Sequence, residues 1–146
     1  MRVRPIGLAR AMVPLALIAG LVGCQQKPID PYARLIPNTL AGRKAVTAAL
    51  DAWRRGEAPG RVETMRPPVV VVDKQRREGQ TLEHFEILGD TIDFHARCFT
   101  VKLSLASPPD EQLARYNVFG VDPLWVFRKE DYDMISHWEH QMPEEK

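Results

Sequence analysis

From Asn38 onward the apolar positions fall at helical spacing. Val46, Ala49, Leu50 and Trp53 form one stripe, while Arg43, Lys44, Asp51 and Arg54 lie largely off it. This period predicts an amphipathic helix capped by Asn38 or Thr39 and running to about Arg55, with Gly56 as its stop. A helix this short is held by packing more than by propensity, and Trp53 is its main anchor. The rest of the chain reads as strands. Val69–Val72 is an unbroken β-branched run, which suits a strand buried on both faces. Residues 73–80 read as a charged turn or a short helical piece. Residues 81–88 alternate weakly, with Phe85 and Ile87 on one side, and Gly89-Asp90 is expected to turn the chain.

Residues 91–106 carry the most information. Ile92, Phe94, Ala96 and Cys98 are apolar at even positions, whereas Phe99, Val101, Leu103 and Leu105 are apolar at odd ones. A strand has period two, so this flip predicts one long strand with a β-bulge near Cys98. Residues 113–121 and 124–128 are further strands or one interrupted strand, broken at Asp122-Pro123, with Trp125 and Phe127 sharing a face. The expected fold is α+β: one N-terminal helix packed on a bent antiparallel sheet of four or five strands. It forms a single small domain over residues 38–146, ending in a polar tail. This order of elements resembles cystatin-like and NTF2-like cone folds.

Composition narrows the function classes. The chain has 146 residues, 27% charged and 45% hydrophobic, which excludes wholesale disorder. Twenty basic residues against 19 acidic give a net charge of +1, so no electrostatic case for nucleic acid exists. No stretch reaches the roughly 20 apolar residues that cross a bilayer as a helix.

The N-terminus reads as an address. Arg2, Arg4 and Arg10 precede a short apolar run over residues 11–23, the layout of an export signal. The run ends in Leu21-Val22-Gly23-Cys24, which resembles the lipobox of bacterial lipoproteins. That resemblance implies cleavage before Cys24 and a diacylglyceryl group on its thiol, with an acyl group on its new amine. Palmitate is a typical chain. Two or three chains give a lasting anchor, because each buried methylene contributes about 0.8 kcal/mol and one chain holds only marginally. Gln25, rather than Asp, follows the cysteine, which favours the outer membrane in a host with two. Residues 24–37 hold the lipidated Cys24 and a proline-rich tether.

Cleavage removes residues 1–23 with their three arginines, leaving 17 basic residues against 19 acidic, a net charge of −2. The acyl chains, rather than the protein surface, are expected to hold the protein to the membrane. With Cys24 lipidated, Cys98 has no cysteine to pair with, and it is read as a core residue.

Two constellations could carry chemistry. Asp93 and His95 are two apart, so on one strand they share a face. Lining a pocket, they form an acid–base pair; facing water, they are solvated, as the alternation favours. Met134, His137, His140 and Met142 lie within nine residues. Thioethers with imidazoles suit copper(I), and the two imidazoles with Glu139 suit zinc, though two histidines fall short of a full ligand set. Otherwise Met134, Ile135 and Trp138 pack on the domain and the histidines are solvated. The stretches GVDPLWVFRKED and HWEHQMPEE resemble the C-terminal third of small bacterial lipoproteins that have no assigned activity, which implies fold and compartment only.

The expectation is a non-enzymatic, lipid-anchored envelope protein without a cofactor beyond its covalent lipid, binding an envelope-protein or cell-wall partner. The alternatives are copper or zinc binding by the tail, and a ligand pocket or weak enzyme within the sheet.

Overall fold

The computed structural model of the protein describes residues 27–139, of which residues 138 and 139 are described by backbone alone. Cys24, His140 and Met142 therefore lie outside the described residues.

Helix α1 (Thr39–Arg54) forms where the period places it. Asn38 caps it: its side-chain oxygen accepts the Ala41 N–H at 2.8 Å. Its C-terminus closes as a Schellman turn, with Gly56 N–H on the Trp53 carbonyl at 2.8 Å and Glu57 N–H on the Ala52 carbonyl at 3.0 Å. Gly56 sits at φ +83°, a conformation glycine adopts without a Cβ penalty. Ala45, Val46, Ala49, Leu50, Ala52 and Trp53 bury the inner face of the helix.

The strands are β1 (Arg61–Val62), β2 (Val69–Val72), β3 (Thr81–Asp93), β4 (Ala96–Ala106), β5 (Asp110–Phe119) and β6 (Leu124–Arg128). They form one sheet in the order β1-β2-β6-β5-β4-β3. The sheet is mixed, because β2 runs parallel to β6, so the expected antiparallel sheet of four or five strands is corrected to six strands with one parallel pair. In β2 only Val69 and Val71 are buried; Val70 and Val72 stay partly exposed, so this strand is fully covered on one face rather than both.

The parity flip has a different cause from the one expected. The chain does not run straight through residues 91–106. It turns at Phe94-His95, both at positive φ (37° and 61°), between antiparallel β3 and β4. Gly89 lies within β3, next to a register shift, and marks an irregularity in the ladder rather than a turn. In β4 both Cys98 and Phe99 are buried because the strand is covered on both sides there. Phe99, Val101, Leu103 and Leu105 face α1 with Tyr116, Val118, Leu124 and Val126, forming the main core.

A second helix, α2 (Lys129–Glu139), was not expected; it follows β6 directly and contacts β5 and β6. It covers part of the sheet face that α1 leaves free. The segment read as a tether is held from Asp30 onward. Leu35 O accepts the Gly120 N–H at 2.7 Å, and Pro37 O accepts Arg97 Nε at 2.7 Å.

Candidate functional site

Strand alternation puts Phe119, Trp125 and Phe127 on the face opposite α1, since their neighbours Val118, Leu124 and Val126 belong to the main core. Three other pieces meet them there: Tyr132, Ile135 and Ser136 of α2, the Phe94-His95 turn, and Tyr32 of the N-terminal arm. Together they enclose a pocket of about 450 Å³, within the usual span of small-molecule sites, roughly 300–1,000 Å³.

The walls are rings in contact. Trp125 and Phe127 stack with centroids 5.8 Å apart, and Tyr132 meets Phe127 edge-on at 5.7 Å. His95 is held between Tyr32 at 4.8 Å and Phe94 at 5.0 Å. Such pairs orient one another by their quadrupoles as well as by area buried.

Three polar groups of the walls engage the protein itself. Tyr132 OH donates to the Phe94 carbonyl at 2.9 Å, which ties α2 to the hairpin tip. His95 Nδ1 lies 3.1 Å from Asp30 Oδ2, and Ser136 Oγ donates to the Tyr132 carbonyl at 2.8 Å. The pocket therefore offers ring faces more than hydrogen bonds.

A larger depression, about 600 Å³, lies on the outer side of α1 against residues 64–66. Its walls include Arg43, Lys44, Asp51 and Arg66, mostly exposed charged side chains. These are the solvated face of an amphipathic helix.

Asp93 and His95 do not share a strand face. Asp93 ends β3, and its carboxylate lies 3.0 Å from Lys129 Nζ, which also reaches Asp133 at 2.8 Å. His95 stands in the turn and lines the pocket, so the two residues, expected to be solvated together on one strand face or else to form an acid–base pair, make two separate pairings instead. Burial disfavours the Lys129 charge, but the hydrogen bonds it donates to Asp133 and Asp93 outweigh that and raise its pKa.

Met134 and His137 are both exposed, three residues apart on α2. Among the described residues, no group of three or more His, Cys, Asp or Glu is placed to hold a metal ion. Cys98 is buried and unpaired; burial first, then the Asp93 carboxylate, pushes its thiol upward.

Sequence reasoning missed a buried polar cluster on the α1 side. The Asp73 carboxylate accepts Tyr116 OH at 3.0 Å and Arg76 Nε at 3.1 Å. Arg128 Nη1 donates to Tyr116 OH at 3.3 Å, and the Arg76 guanidinium lies 4.3 Å from the Trp53 ring centroid. Nothing in a charged turn (residues 73–80) signals that its first carboxylate is core. Tyr116 is held neutral, its pKa raised by burial and by Asp73. On the pocket side, Asn117 is wholly buried between Cys98 and Phe127 in register, and neither side-chain atom has a hydrogen-bond partner.

The chain matches no family model, no curated protein and no solved structure.

Proposed function

We propose that this chain is a lipid-anchored protein of the bacterial envelope that acts by binding, and that its site is the aromatic pocket under α2. The lining of that pocket carries the reading. Seven rings surround it, and the Tyr132 hydroxyl, the His95 ring and the Ser136 hydroxyl are engaged within the protein. An occupant is gripped through apolar contact and ring faces, as a small apolar molecule or an aromatic or aliphatic side chain of an envelope partner would be. The pairing of Asp93 with Lys129 and of His95 with Asp30 supports binding over turnover.

The anchor is supported by the basic start, the apolar run and Leu21-Val22-Gly23-Cys24; Gln25 supports the outer membrane. A helix on one sheet face supports the likeness to cystatin-like and NTF2-like cones at the level of layers. The pocket, however, lies on the face away from α1, so the chemistry of a cone interior is not carried over.

Two measurements test this reading. Cells fed labelled palmitate are expected to label the protein, and Cys24→Ser is expected to lose the label. Residues 25–146, which contain every described element, are expected to bind an uncharged naphthylamine probe at one saturable site. Trp125→Ala is expected to weaken that binding at least about tenfold, roughly 1.4 kcal/mol. Equal binding by parent and variant sinks the pocket reading.

Copper or zinc binding by Met134, His137, His140 and Met142 is a separate proposal, supported by the exposure of Met134 and His137 one turn apart. If His137→Ala/His140→Ala protein retains copper(I) as well as the parent, that proposal is wrong.

A further inference from the structure

We infer that the pocket end of the domain docks on the anchoring membrane, with its apolar rim seated in the bilayer interface. This rests on the lipid anchor proposed above.

Reach sets which end lies near the bilayer. Tyr32, a pocket wall, stands eight residues after Cys24. An extended chain spans at most about 3.3–3.6 Å per residue, and Asp30, already paired with His95 of the pocket wall, follows Cys24 by only six residues, so the pocket end is held within roughly 22 Å of the lipid. The opposite end of the sheet, the turn between β4 and β5, lies farther off. The ten residues of β5 separate the two ends, roughly 34 Å at the usual rise of a strand.

The surface chemistry agrees with that placement. Tyr32, Phe94 and Ile135 line the pocket yet remain 43%, 51% and 47% exposed. Two exposed aliphatics flank them: Ile29 at 92%, beside the Asp30 that holds His95, and Val121 at 60%, beside the Gly120 that holds Leu35. These five side chains come from four separate stretches of chain, and no single amphipathic element accounts for their convergence. Aromatic and aliphatic side chains at the rim of an anchored domain fit the headgroup–acyl boundary. At the far turn the chain presents Asp110, Glu111 and the exposed Lys102–Glu111 ion pair.

Charge is not what drives the contact. The polar groups bracing the mouth are engaged within the protein, Asp30 with the His95 ring and Asp93 with Lys129. A neutral phosphatidylcholine surface is therefore sufficient, and the contact resists salt. The acyl chains supply the attachment; the apolar rim supplies the orientation.

The test uses full-length lipidated protein in phosphatidylcholine vesicles, with one spin label at Val121→Cys or at Glu111→Cys. Unsubstituted protein gives the background from buried Cys98. Each label is scored by collision with oxygen, which concentrates in the apolar phase, against a water-soluble nickel chelate. The Val121 label is expected to show a several-fold higher oxygen-to-nickel ratio than the Glu111 label. The difference is expected to persist in about 1 M salt, where the Debye length is about 3 Å. Equal ratios overturn the docking, and so does a difference that salt abolishes. Intact mass of the same sample separates the two readings. Lipid on Cys24 with equal ratios removes the docking alone, whereas a chain without lipid removes both.

Discussion

At the scale of single residues, the energetics turn on polar groups inside the protein. Tyr116 OH sits between Asp73 and Arg128, and its raised pKa links stability to alkaline pH. Below its ordinary value of 10.0, folded and unfolded chains both keep the proton. Above it the unfolded chain ionises while the folded one does not, so stability falls as pH rises past 10. Tyr116→Phe is expected to flatten that alkaline limb. It is also expected to cost about 1–3 kcal/mol at neutral pH, by depriving buried Asp73 of a donor; denaturant unfolding at several pH values reads both. Asn117 is the converse case. Its buried amide has no partner, so Asn117→Leu is expected to raise stability by about 1 kcal/mol. A lower midpoint in urea would show that the amide is satisfied after all. Neither group was legible in the sequence. Asp73 looked like part of a solvated charged turn, and Asn117 stands between apolar neighbours without a motif. Cys98 was legible, because an unpaired cysteine in an apolar strand is most often core. With its thiol raised by burial, Cys98 is expected to resist thiol reagents in the native protein and to react fully only in denaturant.

At the scale of elements, α1 was the most legible because several signals agreed: cap, stripe and glycine stop. It packs tightly on the sheet at Gly42, where an added Cβ would lie 2.8 and 2.9 Å from ring carbons of Phe99. Phe99 is fully buried and has nowhere to move. Gly42→Ala is therefore expected to destabilise by about 1–2 kcal/mol. The overpacking, ~1–3 kcal/mol, outweighs alanine's ~1 kcal/mol advantage in a helix; thermal unfolding checks the sign. The β3–β4 hairpin was not legible, and the reason is local. Its two turn residues are Phe94 and His95, where Asn-Gly or Asp-Gly is the usual signal for positive φ. Gly89-Asp90 offered a better turn signature five residues too early. The parallel β2–β6 pair was also hidden, since strand partners far apart in sequence leave no periodic trace. Helix α2 was masked by its composition: its polar residues read as a tail, while Tyr132 and Ile135 make it a wall.

At the scale of the whole molecule, the two sheet faces have different tasks. One face, under α1, is a closed hydrophobic core with an internal polar cluster. The other is only partly covered, by α2, and keeps an aromatic hollow open where the N-terminal arm, the hairpin tip and α2 converge. The parts that converge there are adjacent to the segment that would bear the anchor, so the proposed binding and the proposed attachment fall at one end of the molecule. The site was barely legible. Trp125 and Phe127 were read only as strand residues sharing a face, and His95 only as a strand neighbour of Asp93; Tyr32 and Ile135 join them through a turn and a helix that alternation does not report. The central claim is that this hollow binds something, and native mass spectrometry of the full-length protein released from its membrane in mild detergent tests it most directly. The account predicts a non-covalent adduct, beyond any covalent lipid, that the parent carries and Trp125→Ala/Phe127→Ala protein lacks. A bare parent, or an adduct that survives in the variant, would contradict it.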